Sequence, residues 1–458
     1  MKKKYVLFAM LAVFITMVFI TINQAKPNEK NITNVNKSNC PPNCNVILIS
    51  IDTLSADHLG IYGYQKPTTP NIDKFSQNAI IFEKAFAQSS WTLPSHASML
   101  TGKYPQKLGV EVISDRLPQG STITEILKNN NYQTAAFTGG AFVDEQHGFS
   151  QGFDTFETIQ TWQDAEILTE KATNWLTGNQ KSKFFLFLHY FHVHDPYSPK
   201  TDSARTIDPS YTGSLKSFDI SQIVKLNKGE ITLPQSDLNR LKALYDAELL
   251  ELDGELGKIF KLLSETKLID NSIIVITSDH GEEFGEHGVW GMHSYSLYDE
   301  LIHVPLIVKI PNINQPKRIS SLAEVVDIPK TIISLLNLKS PQKLDGINLM
   351  DIVDGKTSKT SVYSETFSHK QQMLDNIEKL PAFNNLNDIP QQMFDELSRQ
   401  KQQKIKKQMV RNDNFKLIKN YDDTIELYNL KDDALEKNSL FGRGISEEKT
   451  LIDLLNNY

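Results

Sequence analysis

Three polar residues, Asp52, Asp279 and His280, have the side-chain types and positions to bind a metal ion. Asp52 directly follows one apolar run, and the adjacent Asp279 and His280 follow another. Carboxylate oxygens together with an imidazole suit zinc, manganese, magnesium or calcium. A single aspartate at the end of a strand is more often a simple hydrogen-bond acceptor. Together, however, the three residues predict a site for at least one divalent cation.

The elements that must position these residues are apolar runs at 46–51, 184–188, 273–277 and 305–310. Their composition is typical of strands that are buried on both faces of a parallel sheet. Helical patterns such as 238–263 lie between them, which predicts an α/β fold, with a mostly parallel sheet and helices on both faces. Ligands bind beyond the carboxyl ends of such strands. We therefore expect Asp52, the histidines of 189–194 and the Asp279-His280 pair to converge.

Longer segments around these residues resemble, in the same order, the motifs of the sulfatase family within the alkaline phosphatase superfamily. They are Ile-Asp-Thr-Leu-Ser-Ala-Asp-His-Leu-Gly-Ile-Tyr-Gly-Tyr at 51–64, Trp-Thr-Leu-Pro-Ser-His-Ala-Ser-Met-Leu-Thr-Gly at 91–102, His-Asp-Pro-Tyr at 194–197 and Ser-Asp-His-Gly-Glu at 278–282. Residues 410–418 and 426–430 resemble the closing small sheet of the family. The resemblance implies an alkaline-phosphatase-like catalytic domain at 46–355 and a small C-terminal antiparallel-sheet subdomain at 356–458.

The resemblance also implies site residues. Asp52, Asp279 and His280 stand at metal-ligand positions, and Thr92 stands at the position of the nucleophile, where its hydroxyl would also bind the metal. The sulfatase signature for formylglycine is Cys or Ser, any residue, Pro, any residue, Arg, whereas this chain has Thr-Leu-Pro-Ser-His at 92–96. Oxidation of a threonine would give a ketone instead of an aldehyde, and His96 replaces the arginine. This departure argues against formylglycine chemistry.

A threonine hydroxyl is nevertheless a nucleophile in alkaline-phosphatase relatives that move phosphoglycerol or phosphoethanolamine groups in the cell envelope. A bound divalent cation helps such a hydroxyl to lose its proton and neutralises charge on the transferred group. We expect a phospho-threonine at Thr92 that is released to water or to an acceptor alcohol. Thr92 could also be a helix N-cap, since Thr before Pro-Ser is a good helix start, and the two roles are compatible.

Histidines complete the predicted site. His194 matches the family's His-X-Pro histidine, which implies a contact with the anionic group or with the leaving oxygen. His293 lies near the position of a substrate-binding lysine in sulfatases, which implies anion binding. His96 could donate a hydrogen bond to Thr92 in place of the missing arginine. Structural or supporting roles are expected for the others, namely His58, His189, His192, His287 and His303.

The N-terminus predicts export from the cytoplasm. Three lysines at 2–4 precede an uncharged apolar run at 5–22, which would reach roughly 27 Å as a helix. The lysines would hold the leading end in the cytoplasm. Residues 1–24 are therefore expected to be a membrane signal-anchor or, alternatively, a cleaved signal peptide of a secreted or periplasmic protein. Residues 25–45 read as a linker, in which Cys40 and Cys44 favour a disulfide over a metal site.

Composition limits the remaining possibilities. The 458 residues, 40% of them hydrophobic, are enough for a large catalytic domain and a smaller partner. The net charge of −7 offers no basic surface, so nucleic acid is not an expected partner. From about residue 361 the pattern changes to short strands and a Lys/Gln-rich stretch at 393–409, which predicts a helix with a solvated face.

Three hypotheses follow from the sequence. The first is an extracytoplasmic phosphoesterase or phosphotransferase that uses Thr92, and the second is a sulfatase with a diverged nucleophile. The third is an inactive relative that only binds anionic glycans, which the complete predicted metal set disfavours. The expected substrate is an anionic ester, on an envelope phospholipid, an envelope polymer or a sulfated or phosphorylated glycan.

Overall fold

A computed structural model describes residues 40–41, 43–120, 122–140, 142–159, 164–200, 202–367, 401 and 406–458. The predicted signal segment at 1–24 and most of the linker at 25–45 lie outside these residues. Within the described part of the chain, no helix is both long and apolar enough to cross a membrane.

An eight-stranded sheet forms the centre of the molecule, and a two-stranded ribbon lies beside the site. The strands, in chain order, are β1 Asn45–Ile51, β2 Ile80–Phe86, β3 Gln133–Thr138, β4 Thr155–Thr158, β5 Phe184–Tyr190, β6 Ser272–Thr277, β7 Glu283–Phe284, β8 Trp290–Met292, β9 His303–Lys309 and β10 Lys317–Glu324. The spatial order of the large sheet is β10-β2-β9-β6-β1-β5-β3-β4, and β7 pairs with β8. The four apolar runs thus form β1, β5, β6 and β9, as predicted.

The large sheet is parallel except at β9. This strand is antiparallel to both of its neighbours, β2 and β6. The strand-like composition of residues 305–310 could not reveal this direction, because burial on both faces looks the same in either orientation. The three strands that lead to the predicted metal ligands remain parallel and adjacent, with β1 between β5 and β6.

Both faces of the sheet are covered. Every residue of β1 is buried. Ile47, Ile49 and Ile51 belong to one core cluster, which also contains the apolar face of the long helix Gln235–Glu265. The alternating Val46 and Leu48 point the other way and are fully buried too. A strand that is buried on both sides explains why the sequence of β1 is a continuous apolar run.

The helices surround this sheet and connect its strands. They are α1 Pro70–Ser76, α2 Thr92–Thr101, α3 Pro105–Leu108, α4 Ile123–Lys128, α5 Ala165–Asn179, α6 Ser203–Ile207, α7 Ile220–Lys228, α8 Gln235–Glu265, α9 Asp299–Ile302, α10 Asp327–Leu335, α11 Leu349–Val353 and α12 Ser446–Leu455. Short 3₁₀ turns occur at Ala56–His58, Gly60–Tyr62 and Leu268–Asn271. The helix predicted at 238–263 is the centre of α8.

A second, antiparallel sheet near the C-terminus confirms the predicted small subdomain sheet. Its strands are β11 Val362–Thr366, β12 Lys407–Arg411, β13 Phe415–Lys419 and β14 Ile425–Asn429, in that spatial order. The helix predicted at 393–409 is wrong at its end, because residues 407–409 belong to β12. Pairing with β11 and β13 on either side overrides the helical preference of the Lys/Gln-rich sequence there. Residues 393–400 lie outside the described part.

Cys40 and Cys44 lie in the turn before β1. Both are free thiols, so the disulfide that the sequence favoured is not present in this structure. A hydrogen bond to Cys44, together with burial, raises the pKa of the Cys40 thiol. The backbone N–H of Cys44 donates to the carbonyl of Pro41 at 3.0 Å, which closes the turn.

Candidate active site

Three neighbouring strands deliver the predicted metal ligands to one edge of the sheet. Asp52 follows β1, and Asp279 and His280 follow the neighbouring β6. On the other side of β1, His189 in β5 lies directly opposite Ser50. The carboxyl ends of parallel strands share an edge, so the convergence expected from the sequence occurs.

Asp52, Asp279 and His280 form a compact group of possible metal ligands. One ligand atom from each residue lies within 4.8 Å of the others, and all three side chains are fully buried. Oδ1 of Asp52 and Oδ2 of Asp279 have no hydrogen-bond partner. Buried carboxylate oxygens are costly when they are left unpaired. Two such oxygens beside an imidazole therefore fit a divalent cation.

The electrostatics of this group agree with that fit. Burial and the charge of Asp52 raise the pKa of Asp279 to about 7. Burial also raises the pKa of Asp52. Burial and the neighbouring His293 lower the pKa of His280 to about 3, so its ring is neutral and able to ligate. Two close carboxylates that resist ionisation would be relieved by a positive ion between them.

His189 supports the group from β5. Its Nε2 lies 3.0 Å from Oδ2 of Asp52, in a fully buried position. Burial lowers the pKa of His189 to about 4, so a neutral ring donates to the carboxylate. A donor of this kind orients a metal-binding carboxylate. The structure therefore agrees with the supporting role considered for His189.

Thr92 lies beside this group, at the start of α2. Its Oγ1 is 3.4 Å from Nε2 of His280 and 3.5 Å from Oδ2 of Asp52. Thr92 is not the helix N-cap. That position is held by the extended Trp91, and Thr92 is the first helical residue. The hydroxyl is therefore not used to cap the helix, and it sits at the positive end of the helix dipole.

His96 contacts Thr92 differently from the prediction. Its Nδ1 lies 3.0 Å from the backbone carbonyl of Thr92 and 3.3 Å from Oδ2 of Asp279, while its Nε2 lies 2.9 Å from Oγ of Ser50. The reason is helical spacing, since His96 is four residues after Thr92 on one face of α2. The structure thus shows no hydrogen bond from His96 to the Thr92 hydroxyl. Its ring instead faces the metal-ligand group.

His194 and His293 form the other wall of the site. Their ring centroids are 4.9 Å apart, and the ring of His293 is 4.5 Å from that of His280. Burial disfavours charge on His194, but the adjacent Asp195 outweighs it and raises the pKa of His194 to about 10. His194 is therefore positively charged at neutral pH and suited to an anionic substrate. Burial and His194 lower the pKa of His293 to about 3.

Glu282 is a site residue that the sequence reasoning missed. Its Oε1 lies 3.1 Å from Nδ1 of His293, and its Oε2 accepts a hydrogen bond from the Tyr197 hydroxyl at 2.8 Å. Burial raises the pKa of Glu282 to about 8. Its place two residues after His280 was the available signal. That signal did not show which way the side chain points.

The other histidines lie in structural contacts, as expected. Nδ1 of His58 is 2.7 Å from Asp246, Nε2 of His192 is 3.6 Å from Glu251, and Nε2 of His303 is 2.9 Å from the carbonyl of Glu83. A second group of possible ligands comprises Glu283, His287 and Glu300. In that group His287 is hydrogen-bonded to Glu300, and Glu283 accepts from two backbone N–H groups.

The sequence of this chain is similar to those of known sulfatases. A family model described as Sulfatase matches residues 44–338. Human iduronate 2-sulfatase is 28% identical over 331 residues, which are 58% of this chain and 60% of that protein. This chain thus spans about three fifths of the length of that relative.

Two further proteins match over most of the chain. The N-acetylglucosamine-6-O-sulfatase of Bacteroides thetaiotaomicron is 22% identical, across 90% of this chain and 85% of its own. The crystal structure of the phosphonate monoester hydrolase of Agrobacterium radiobacter superposes with a TM-score of 0.71 at 17% identity, covering 90% of this chain and 95% of its own. The fold of the described residues is therefore the fold of that hydrolase.

Proposed function

This chain belongs to the sulfatase family, and from that premise we propose that it cleaves or transfers anionic esters by means of Thr92 beside a divalent metal. Phosphate esters and diesters are the favoured substrates. Asp52, Asp279 and His280 would hold the metal, which would be calcium, manganese, magnesium or zinc.

The position of the Thr92 hydroxyl is the observation that carries the proposal. It lies 3.4 Å and 3.5 Å from two of the three metal-ligand side chains, at the N-terminus of a ten-residue helix. A metal at these ligands would lower the pKa of the nearby hydroxyl and neutralise charge on the ester. A nucleophile in this position is already oriented before substrate binds.

The residues of the chain have distinct tasks in this reaction. Oγ1 of Thr92 releases its proton and attacks phosphorus, the bond from phosphorus to the leaving oxygen breaks, and the leaving oxygen takes up a proton. His194 offers positive charge to the anionic group, and His293 lies next to it with its Nε2 available. Attack by water or by an acceptor alcohol then releases the phosphoryl group from Thr92 and restores the hydroxyl.

The chemistry of Thr92 favours phosphoesters over sulfate esters. A formylglycine cannot be made from threonine, because its oxidation gives a ketone. His96, which replaces the signature arginine, is fully buried and held between Ser50 and the Thr92 carbonyl. A metal-activated hydroxyl with a neutral supporting histidine is a set of groups suited to phosphoryl transfer.

Sulfate ester hydrolysis is the second candidate. The relatives named iduronate 2-sulfatase and N-acetylglucosamine-6-O-sulfatase favour it. Under this alternative Thr92 would attack sulfur, and the same metal ligands would serve. The two candidates differ in the charge and chemistry of the ester and share the site.

We place the protein outside the cytoplasm, on the strength of the lysines and apolar run at residues 2–22. This location is compatible with a membrane anchor or with a secreted or periplasmic protein. Substrates there would be envelope phospholipids, envelope polymers or phosphorylated or sulfated glycans.

The experiment is a substrate panel on the purified full chain, with calcium, manganese, magnesium or zinc added in turn. The substrates are bis-p-nitrophenyl phosphate, p-nitrophenyl phenylphosphonate and p-nitrophenyl sulfate. We expect metal-dependent turnover, with kcat/KM higher for the phosphorus esters than for the sulfate. A preference for the sulfate would overturn the substrate class, and turnover of none of them in any metal would overturn the enzyme proposal.

A further inference from the structure

The carboxyl group of Glu282 is fixed in place by a rigid turn. Gly281, directly before it, packs so closely that an added Cβ would lie 2.1 Å from both Oγ of Ser55 and the carbonyl oxygen of Glu300. The N–H of Gly281 donates to the carbonyl of Leu301 at 2.9 Å, and the N–H of Glu282 donates to Ser55 at 3.3 Å. These contacts fix the backbone at Glu282 and therefore the position of its Cα.

The Glu282 side chain is fully buried and contacts two partners. One oxygen accepts from the hydroxyl of Tyr197, and the other is hydrogen-bonded to Nδ1 of His293. Tyr197 is fully buried and is itself held by backbone hydrogen bonds to Phe218. A buried carboxyl group is costly unless its oxygens are paired, so both contacts hold it in one orientation.

His293 is anchored to the segment that carries Thr92. The N–H of Ser294 donates to the carbonyl of Ser90 at 2.8 Å, two residues before Thr92. The carbonyl of Ser294 accepts from Oγ1 of Thr366 at 2.6 Å. Ser294 has a φ of 76°, in the left-handed region that a serine adopts only when its surroundings impose it. The His293 ring therefore has a fixed place between His280 and His194.

The two nitrogens of the His293 ring differ in their surroundings. Nδ1 is used by Glu282, whereas Nε2 makes no hydrogen bond to any described residue. Since a hydrogen bond at one imidazole nitrogen fixes the ring and decides what the other nitrogen can do, Nε2 is the nitrogen left for a substrate. The ring is 13% exposed, so a bound ester can reach it.

We propose that Glu282 is a positioning residue that holds the His293 ring so that Nε2 donates a hydrogen bond to the ester group bound beside Thr92. This inference rests on the proposed function, because it assigns a task within the same site. Activity would then require a second feature besides the metal ligands. This feature is a carboxyl or amide group at position 282 that contacts the Tyr197 hydroxyl and Nδ1 of His293 at the same time.

The test is a double-substitution cycle at Glu282 and His293, using the better phosphorus ester of the panel. Glu282→Met has a similar length and removes both hydrogen bonds, so kcat/KM should fall by about 10–100-fold. In a chain that already carries His293→Ala, the same Glu282→Met change should cost nothing further. If Glu282 had only a structural role, Glu282→Met would lower kcat/KM by the same factor in the wild-type chain and in the His293→Ala chain.

Glu282→Gln is the matched conservative variant. Its amide oxygen can accept from Tyr197 while its amide nitrogen donates to Nδ1, which keeps both contacts and leaves Nε2 as a donor. We expect it to retain most of the wild-type kcat/KM. Activity as low as that of Glu282→Met would overturn the inference, and so would a Glu282→Met loss that persists beside His293→Ala.

A structure of the wild-type protein keeps the proposal testable if Glu282→Met does not fold. In the metal-loaded full chain soaked with inorganic phosphate, Nε2 of His293 should lie within hydrogen-bond distance of a phosphate oxygen next to Thr92. Phosphate bound there without that contact would overturn the inference. If the wild-type protein is active but these results fail, only the role of Glu282 is lost, whereas an inactive wild-type protein removes the proposed function itself.

Discussion

Replacing Asp279 by asparagine should have two opposite effects. It should stabilise the ion-free protein, and it should reduce the stabilisation that a bound metal provides. Asp279 is fully buried beside Asp52, and its Oδ2 has no hydrogen-bond partner. Its Oδ1 accepts from the N–H of His280 at 3.0 Å, a bond that an amide oxygen can also make. The substitution therefore removes a negative charge from the group and leaves the turn intact.

The raised pKa of Asp279 determines how much stability the ion-free protein loses as pH rises. Burial and the Asp52 charge raise this pKa from 3.8 to about 7, a difference that corresponds to about 4 kcal/mol. As pH rises from about 4 to about 7, the unfolded chain releases this proton first. The ion-free folded protein therefore loses up to about 4 kcal/mol of stability over that interval, and the loss is complete above the folded pKa.

The assay is the melting temperature in chelator and in excess divalent cation, at pH 5 and pH 8. For the roughly 370 residues that the structure describes, about 4 kcal/mol corresponds to about 5 °C. In chelator at pH 8, Asp279→Asn should melt up to about 5 °C above the wild-type protein, and the difference should shrink at pH 5. With cation at about 100 times its dissociation constant, the wild-type protein gains about 3 kcal/mol, whereas the variant gains little.

Two results would contradict this prediction. The first is a wild-type melting temperature that does not change when any of the four cations is added. The second is an Asp279→Asn variant whose melting temperature follows that of the wild-type protein at both pH values in chelator. The first would mean that this group binds none of these cations, and the second would mean that burial and the Asp52 charge do not raise the pKa of Asp279.

Substitutions at three further positions test other parts of the structure. Thr92→Ala should reduce kcat by about a thousandfold or more, whereas Thr92→Ser keeps a hydroxyl and should retain measurable turnover, as initial rates will show. His189→Ala removes the donor to the Asp52 carboxylate and should weaken metal binding about 10–100-fold in a calorimetric titration. Lys416→Met leaves its buried partner Glu436 without a cation, which should cost about 3–5 kcal/mol in thermal unfolding with kcat unchanged.

The central sheet and the metal-ligand group were predictable because both depend on a strong local pattern. A strand buried on two faces requires a continuous apolar run, and the residue that ends it lies at a shared edge. Asp52, Asp279 and His280 could thus be brought together from the sequence. The antiparallel direction of β9 could not, since strand direction leaves no mark in the composition of a buried run.

The parts that sequence reasoning missed depend on side-chain direction and on pairing between distant segments. Glu282 lies within a recognisable motif, but only the structure shows that it points toward His293. His96 was expected at the Thr92 hydroxyl and instead reaches the Thr92 carbonyl and Asp279, because helical spacing fixes its direction. Residues 407–409 form a strand because β11 and β13 flank them, a context that the local sequence does not contain.

The role of Thr92 as the nucleophile is tested most directly by a search for a covalent phosphoryl group on this residue. The metal-loaded protein would be mixed with an aryl phosphate diester, quenched in acid within one turnover and digested for peptide mass spectrometry. We expect a substrate-derived phosphoryl group on the peptide that contains Thr92, located on that residue and absent from Thr92→Ala. Rapid turnover with an unmodified Thr92 peptide, together with full activity of Thr92→Ala, would contradict this role.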